Sequence, residues 1–276
     1  MKRACVIGWP ISHSRSPLIH GHWLQRYRID GSYTRQAVKP EDARDFLRNL
    51  AANGFVGCNV TVPHKETAFA VADVVEDSAH AVGAANTIWL EGGRIHAANT
   101  DTYGFMTHLD VSAPGWKTPD APVLVLGAGG AARAIVHGFL EAGVSQVRVA
   151  NRTFDRAQAL AVHFGDSVQA TAWDARSHAA RDCAVIVNTT TIGMKGEGSL
   201  DMDLSAVGSG AVAADIVYVP LETQFLKDAR AAGMRTVDGL GMLLHQAVPG
   251  FEKWFGVRPE VTDELRRIVV ADIEAS

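Results

Sequence analysis

The chain has 276 residues, 47% hydrophobic and 20% charged, with 26 Lys plus Arg against 30 Asp plus Glu and a formal net charge of −4. This balance excludes a disordered, collagenous or coiled-coil chain and gives no global attraction to nucleic acid, so any basic site must be local. The length suits one large domain or two modest ones, and it buries about three quarters of the unfolded surface, so neither disulfides nor metal are needed for folding.

The first half alternates short β-branched runs with amphipathic stretches: strand 5–7, helix 17–26, strand 32–38, helix 40–53, strand 57–60 and helix 74–82. Strands at 87–90 and 94–97, separated by Glu91-Gly92-Gly93, read as a hairpin. Such alternation predicts βα units around a largely parallel sheet. The stretch 112–122 carries Pro114, Pro119 and Pro122 and is the best linker in the chain. A second series follows: strand 123–126, helix 131–142, strand 146–150, helix 154–164, strands 184–188 and 211–215, helix 223–232 and strand 235–237. It predicts a doubly wound Rossmann sheet. Amphipathic helices at 239–254 and 262–274 are expected to pack back on the first domain.

Cys5, Cys58 and Cys183 are odd in number, far apart and in no C-x-x-C arrangement, which predicts reduced thiols and a cytoplasmic location. The apolar run after Met1-Lys2-Arg3 stops at Trp9-Pro10 without a small-residue cleavage site, so no signal peptide is expected. The most apolar long stretch, 121–144, is broken by Arg133, His137 and Glu141 and makes a poor membrane span. The 11 histidines form no H-E-x-x-H or Cys/His cluster, so no metal site is expected, and no serine sits in a G-x-S-x-G elbow.

Gly127-Ala128-Gly129-Gly130-Ala131-Ala132 fits G-x-G-x-x-G/A, follows the apolar strand 123–126 and opens a helix. Gly127 permits the tight turn, Gly129 the approach of a pyrophosphate to backbone N–H groups, and Ala132 close helix packing, with the helix dipole favouring the anion. An NAD enzyme would carry an acid at the end of the next strand. Here Asn151-Arg152-Thr153 stands there with Arg156 a turn later, which favours NADP and its 2′-phosphate. Thr189 ends a later strand, where capping and cofactor contact are equally good readings.

Four polar clusters border first-half strands: Ser12-His13-Ser14-Arg15-Ser16-Pro17, Asn59-Val60-Thr61-Val62-Pro63-His64-Lys65, Ala85-Asn86-Thr87 and Asn99-Thr100-Asp101. Taken singly, each has a bland reading as a helix cap or surface charge. Together with Gly83-Ala84-Ala85-Asn86-Thr87, the glycine loop, Asn188-Thr189-Thr190 with Gly193-Met194, Asp215-Ile216-Val217-Tyr218-Val219-Pro220 and Gly239-Leu240-Gly241-Met242-Leu243-Leu244-His245-Gln246, they run almost end to end. In this order they resemble the shikimate dehydrogenase family, NADP-dependent enzymes that reduce 3-dehydroshikimate to shikimate on the route to aromatic amino acids. Gly21, where the family pattern has Asn, is a departure expected to affect helix packing.

The resemblance implies that Lys65 and Asp101 form the catalytic pair and that Ser14 and Ser16, with Thr61 and Tyr218, hold the substrate carboxylate. It implies that Asn59, Asn86 and Gln246 bond the ring hydroxyls, and that Met194 and Gly239 lie near the nicotinamide. A substrate-binding domain at 1–110, completed by 239–276, and an NADP-binding Rossmann domain at 111–238 follow, with an active-site cleft between them. The expected partners are the small-molecule substrate and NADP, with no nucleic acid and no membrane; a homodimer stays open, as does whether Lys65 shuttles a proton or only stabilises charge. The rivals are a quinate/shikimate dehydrogenase paralogue using NAD, against which the missing acid speaks, an aminoshikimate enzyme, and a non-catalytic dinucleotide sensor, which has no need of Lys65 and Asp101.

Overall fold

The computed structural model describes residues 1–275. The chain divides into two compact units, Met1–Asp101 together with the residues from Leu244 onward, and Thr102–Leu243. The first contains β1 (Lys2–Gly8), α1 (Ser16–Arg26), β2 (Gly31–Ala37), α2 (Ala43–Arg48), β3 (Gly57–Val60), α3 (Lys65–Val71), β4 (Val74–Val75), α4 (Asp77–Val82), β5 (Thr87–Glu91) and β6 (Arg94–Ala98). The next helix, α5 (Asp101–Ser112), leads into β7 (Val123–Leu126), α6 (Gly130–Glu141), β8 (Val147–Asn151), α7 (Phe154–Phe164), β9 (Val168–Ala172), α8 (Arg176–Ala179), β10 (Val185–Asn188), β11 (Val212–Asp215), α9 (Gln224–Ala231) and β12 (Arg235–Val237). Two helices close the chain, α10 (Gly239–Phe255) and α11 (Asp263–Glu274).

The first sheet has the order β2-β1-β3-β5-β6-β4. Strand β1 runs parallel to β2 and β3, but β5 is antiparallel to β3 and to β6. The sheet is largely parallel, as expected, with two antiparallel pairs. The cause is the hairpin, turned by Gly92 and Gly93 at φ 58° and 77°, which enters beside β3 in the opposite sense. This reversal matters for the site: Asn59 near the end of β3 pairs with Thr87 at the start of β5, which pairs with Ala98 at the end of β6.

The second sheet is all parallel with the order β12-β11-β10-β7-β8-β9, the doubly wound arrangement with its switch point between β7 and β10. Its residues alternate: Val123, Val125, Val185 and Val187 pack with Phe105, Ile135 and Phe139, whereas Leu124, Leu126 and Ile186 pack with Phe225 and Leu226 of α9. Both faces are covered, which is why these strands read as unbroken apolar runs.

The tail rejoins the first unit through specific bonds. Trp254 Nε1 donates to Ile88 O at 2.9 Å and Trp23 Nε1 to Glu260 O at 3.0 Å. Gly57 makes the first possible, because a Cβ there would collide with the Trp254 indole and with Ile88 O.

Several expectations are corrected. The helix expected over 74–82 is the two-residue strand β4, paired with His96 and Ala97, followed by α4; Asp73 Oδ2 accepts from Ile95 N and draws Val74 and Val75 to the sheet. The helix expected over 40–53 is a 3₁₀ turn and a shorter α2, ended where Asn49 Nδ2 donates back to Asp45 O. Helix α3 and strand β9 stand outside the predicted elements; β9 is an edge strand with no strong apolar run. The domain boundary expected after 110 falls after Asp101, because Phe105 and Leu109 of α5 are buried in the second unit's core. The return falls after Leu243 instead of 238, with Met242 packed on the same core. At Gly21 nothing lies within 4 Å of the Cβ it lacks, so a side chain there would meet open space. Among the described residues no helix is long and apolar enough to cross a membrane, and Cys5, Cys58 and Cys183 are buried free thiols.

Candidate active site

In the first unit a continuous polar network runs along the edge where β3, β5 and β6 meet. Lys65 Nζ donates to Asp101 Oδ2 at 2.6 Å, and Asn86 Nδ2 donates to Asp101 Oδ1 at 2.8 Å, so both carboxylate oxygens are held. At the start of α5 Asn99 Oδ1 accepts from Asp101 N at 3.0 Å, which fixes the backbone that carries the carboxylate. Asn86 Oδ1 accepts from Thr100 N at 2.8 Å and from the Thr87 and Thr100 hydroxyls, which fixes its amide orientation. Gln246 Oε1 stands 3.5 Å from Thr100 Oγ1.

The network continues to the loop before α1. Asn59 Nδ2 donates to Asn86 O and Thr87 Oγ1, each at 3.3 Å, and Asn59 Oδ1 accepts from Tyr33 Oη at 2.6 Å. Tyr33 is buried, and burial pushes its hydroxyl well above the usual range while a bond with Ser16 opposes the shift. Ser14 Oγ accepts from Ser16 N at 3.4 Å. Thr61 stands over Gly8, where its methyl would meet any Cβ. Beneath these groups His20 stacks on Tyr33 with centroids 4.0 Å apart. Neither ring nitrogen has a hydrogen-bond partner of regular geometry, and burial lowers the pKa to about 3, with the Asn59 amide opposing only in part.

The second unit presents a dinucleotide cradle at the switch point of its sheet. Gly127 has φ 109° and donates to Ala150 O at 2.8 Å; a Cβ there would strike Thr189, so the turn accepts only glycine. Gly129 and Gly130, at the start of α6, are exposed and Ala128 and Ala131 half-buried, so N–H groups of the first turn are open to an anion. Asn151 Nδ2 donates to Thr153 O at 2.8 Å and shapes the end of β8. Arg152 and Arg156 are exposed there, and among the described residues neither has an acidic partner. These features fit a phosphorylated dinucleotide.

Thr189 donates its hydroxyl to Leu126 O at 2.7 Å, which makes it a cap of the strand end. Met194 is 45% exposed on a turn pinned by Lys195 N to Val219 O at 2.7 Å, and Gly239 abuts the carbonyls of Ile216 and Val217. Tyr218 follows β11 on this second unit. The first unit thus gathers Ser14, Ser16, Asn59, Thr61, Lys65, Asn86, Asp101 and Gln246, and the second carries Tyr218 with the cofactor residues.

Sequence reasoning missed Tyr33 and His20, gave Thr87 no role of its own although all three orient the network from within, and missed a buried knot in the second unit. There Asp215 accepts from Asn188 Nδ2 at 2.9 Å, Val217 N at 2.9 Å and Thr223 Oγ1 at 2.6 Å. Burial raises the Asp215 pKa to about 6, with these bonds opposing. The one available signal was polar residues ending apolar strands.

A mixed sheet bearing a Lys–Asp pair, joined in one chain to a doubly wound sheet with a dinucleotide cradle, defines a dinucleotide-dependent oxidoreductase. The profile of the shikimate dehydrogenase substrate binding domain matches residues 6–88, that of shikimate / quinate 5-dehydrogenase residues 109–194, and that of the shikimate 5′-dehydrogenase C-terminal domain residues 239–263. Shikimate dehydrogenase (NADP(+)) of Azorhizobium caulinodans is 54% identical over 100% of this chain and 98% of its own length. The Brucella abortus enzyme of the same name is 56% identical over 99% and 95%. The crystal structure of the Thermus thermophilus shikimate 5-dehydrogenase in complex with NADP(H) and shikimate superposes with a TM-score of 0.87 at 36% identity, covering 97% of this chain and 100% of that one. The chain belongs to the shikimate dehydrogenase family.

Proposed function

We infer that the chain catalyses the reversible NADP-dependent reduction of 3-dehydroshikimate to shikimate, within aromatic amino-acid biosynthesis in the cytosol. The observation that carries this reading is the Lys65–Asp101 pair, half-buried at 2.6 Å and braced by Asn86. The first unit takes the substrate and the second the cofactor.

NADPH, when bound, supplies the hydride. Gly127 to Ala131 would hold its pyrophosphate and Arg152 and Arg156 its 2′-phosphate, with Asn151 and Thr153 shaping that strand end; Met194 and Gly239 would border the nicotinamide. Lys65 Nζ donates a hydrogen bond or a proton to the carbonyl oxygen as negative charge develops there, and Asp101 holds the ammonium in place. Asn59, Asn86 and Gln246 orient the ring hydroxyls, and the hydroxyls of Ser14, Ser16, Thr61 and Tyr218 take the carboxylate. The test is absorbance at the NADPH band with shikimate and with quinate, each with NADP and with NAD. Turnover is expected with shikimate and NADP; activity confined to quinate with NAD would overturn the reading.

A further inference from the structure

Arg35 projects from β2, the edge strand of the first sheet, and grips the loop that carries Ser14 and Ser16. Its Nε and Nη2 donate to one acceptor, Ser14 O, at 2.9 and 2.6 Å. The side chain is exposed, and among the described residues no carboxylate pairs with it. Arg15 of this loop is neutralised locally, its Nε 2.9 Å from Asp272 Oδ2, and Lys65 of the polar network is paired with Asp101.

A carboxylate bound by serine and threonine hydroxyls alone has donors but no countercharge. A guanidinium spending two N–H groups on the neutral Ser14 carbonyl keeps its full positive charge while fixing the peptide that presents both hydroxyls. The bond from Ser16 N to Ser14 Oγ occupies a lone pair of that hydroxyl and leaves its proton to be donated.

We propose that Arg35 is the positioning residue of the substrate-carboxylate loop and the source of its countercharge, acting through the Ser14 carbonyl. The proposal rests on the reading that Ser14 and Ser16 hold the carboxylate. It predicts that Arg35 acts on substrate affinity, not on the chemical step, and in a salt-dependent way.

The test compares steady-state kinetics of the wild type, Arg35→Gln, Arg35→Lys and Ser14→Ala at low and high salt, with shikimate and with its neutral carboxamide. Arg35→Gln is expected to raise the KM for shikimate roughly threefold to tenfold at low salt. It should leave kcat and the KM for NADP near wild type, flatten the salt dependence of the shikimate KM and affect the carboxamide less. Arg35→Lys should restore the salt dependence but only part of the KM, since an ammonium keeps the charge and loses the fork. If Ser14→Ala raises KM while Arg35→Gln matches the wild type at every salt, the role of Arg35 is overturned and the loop assignment stands. If Ser14→Ala leaves KM unchanged, the loop assignment falls and the proposal with it. An equal loss for shikimate and carboxamide, independent of salt, would make Arg35 a structural residue and also overturn the proposal.

Discussion

Lys65 and Asp101 share one hydrogen bond and, on the proposed function, serve one reacting oxygen, so their substitutions should not behave independently. Lys65→Ala is expected to lower kcat by ~10²–10⁴, the range of general acid–base catalysis, with shikimate affinity from calorimetry changed far less. Asp101→Asn should lower kcat too, and the double variant should lose less than the sum of the two; strict additivity would separate the residues. At the other site, Arg152→Ala should weaken NADP by ~1.5–3 kcal/mol and spare NAD, because only one cofactor carries the 2′-phosphate. Equal losses for both would remove Arg152 from phosphate recognition. Lys65 and Asp101 stand in polar clusters bordering strands, and it was the family resemblance that gave them a role; Arg152 was singled out by the acid missing from its strand end. Tyr33 was not: it is an inward tyrosine on an edge strand, and nothing in the alternation of 32–38 says that its hydroxyl ends on Asn59.

At the scale of elements, apolar runs with turn residues at both ends were read well, and helix 154–164 and strands 57–60 and 235–237 stand where expected. The misreadings share a cause. Val74 and Val75 count equally well toward a helix and a strand, and it is the long-range bond from Ile95 N to Asp73 that decides for β4. Glycines in the elements divide by what surrounds them. Gly21 sits inside α1 with nothing near its absent Cβ, so Gly21→Ala should stabilise by ~0.5–1 kcal/mol through helix propensity, read as a higher midpoint in denaturant. Gly57→Ala should instead cost ~1–3 kcal/mol by overpacking against Trp254. A loss of stability in Gly21→Ala would mean that α1 is constrained by something other than its own backbone.

Across the whole molecule, the two units carry buried titratable groups shifted in ways that oppose each other on acidification. His20 of the first unit is lowered from 6.5 to about 3, so the folded form binds fewer protons than the unfolded chain; its contribution is present above about 6.5 and is lost as pH falls toward 3. Asp215 of the second unit is raised from 3.8 to about 6, so its contribution is complete below 3.8 and is lost as pH rises through about 6. Over the range between these values, acid therefore weakens the first unit and favours the second. Hydrogen exchange followed by mass spectrometry at about pH 4.5 should show β1 and β3 losing protection before β7 and β10; the reverse order would contradict these assignments. The same division has a consequence for synthesis. The second unit is one uninterrupted segment, whereas the first is completed only when Trp254 reaches Ile88 O and Glu260 O accepts from Trp23. On the ribosome, the half translated first must wait for the half translated second. A nascent chain stalled once Leu243 has emerged should resist protease across 123–237 while strands β1 to β6 are still cut.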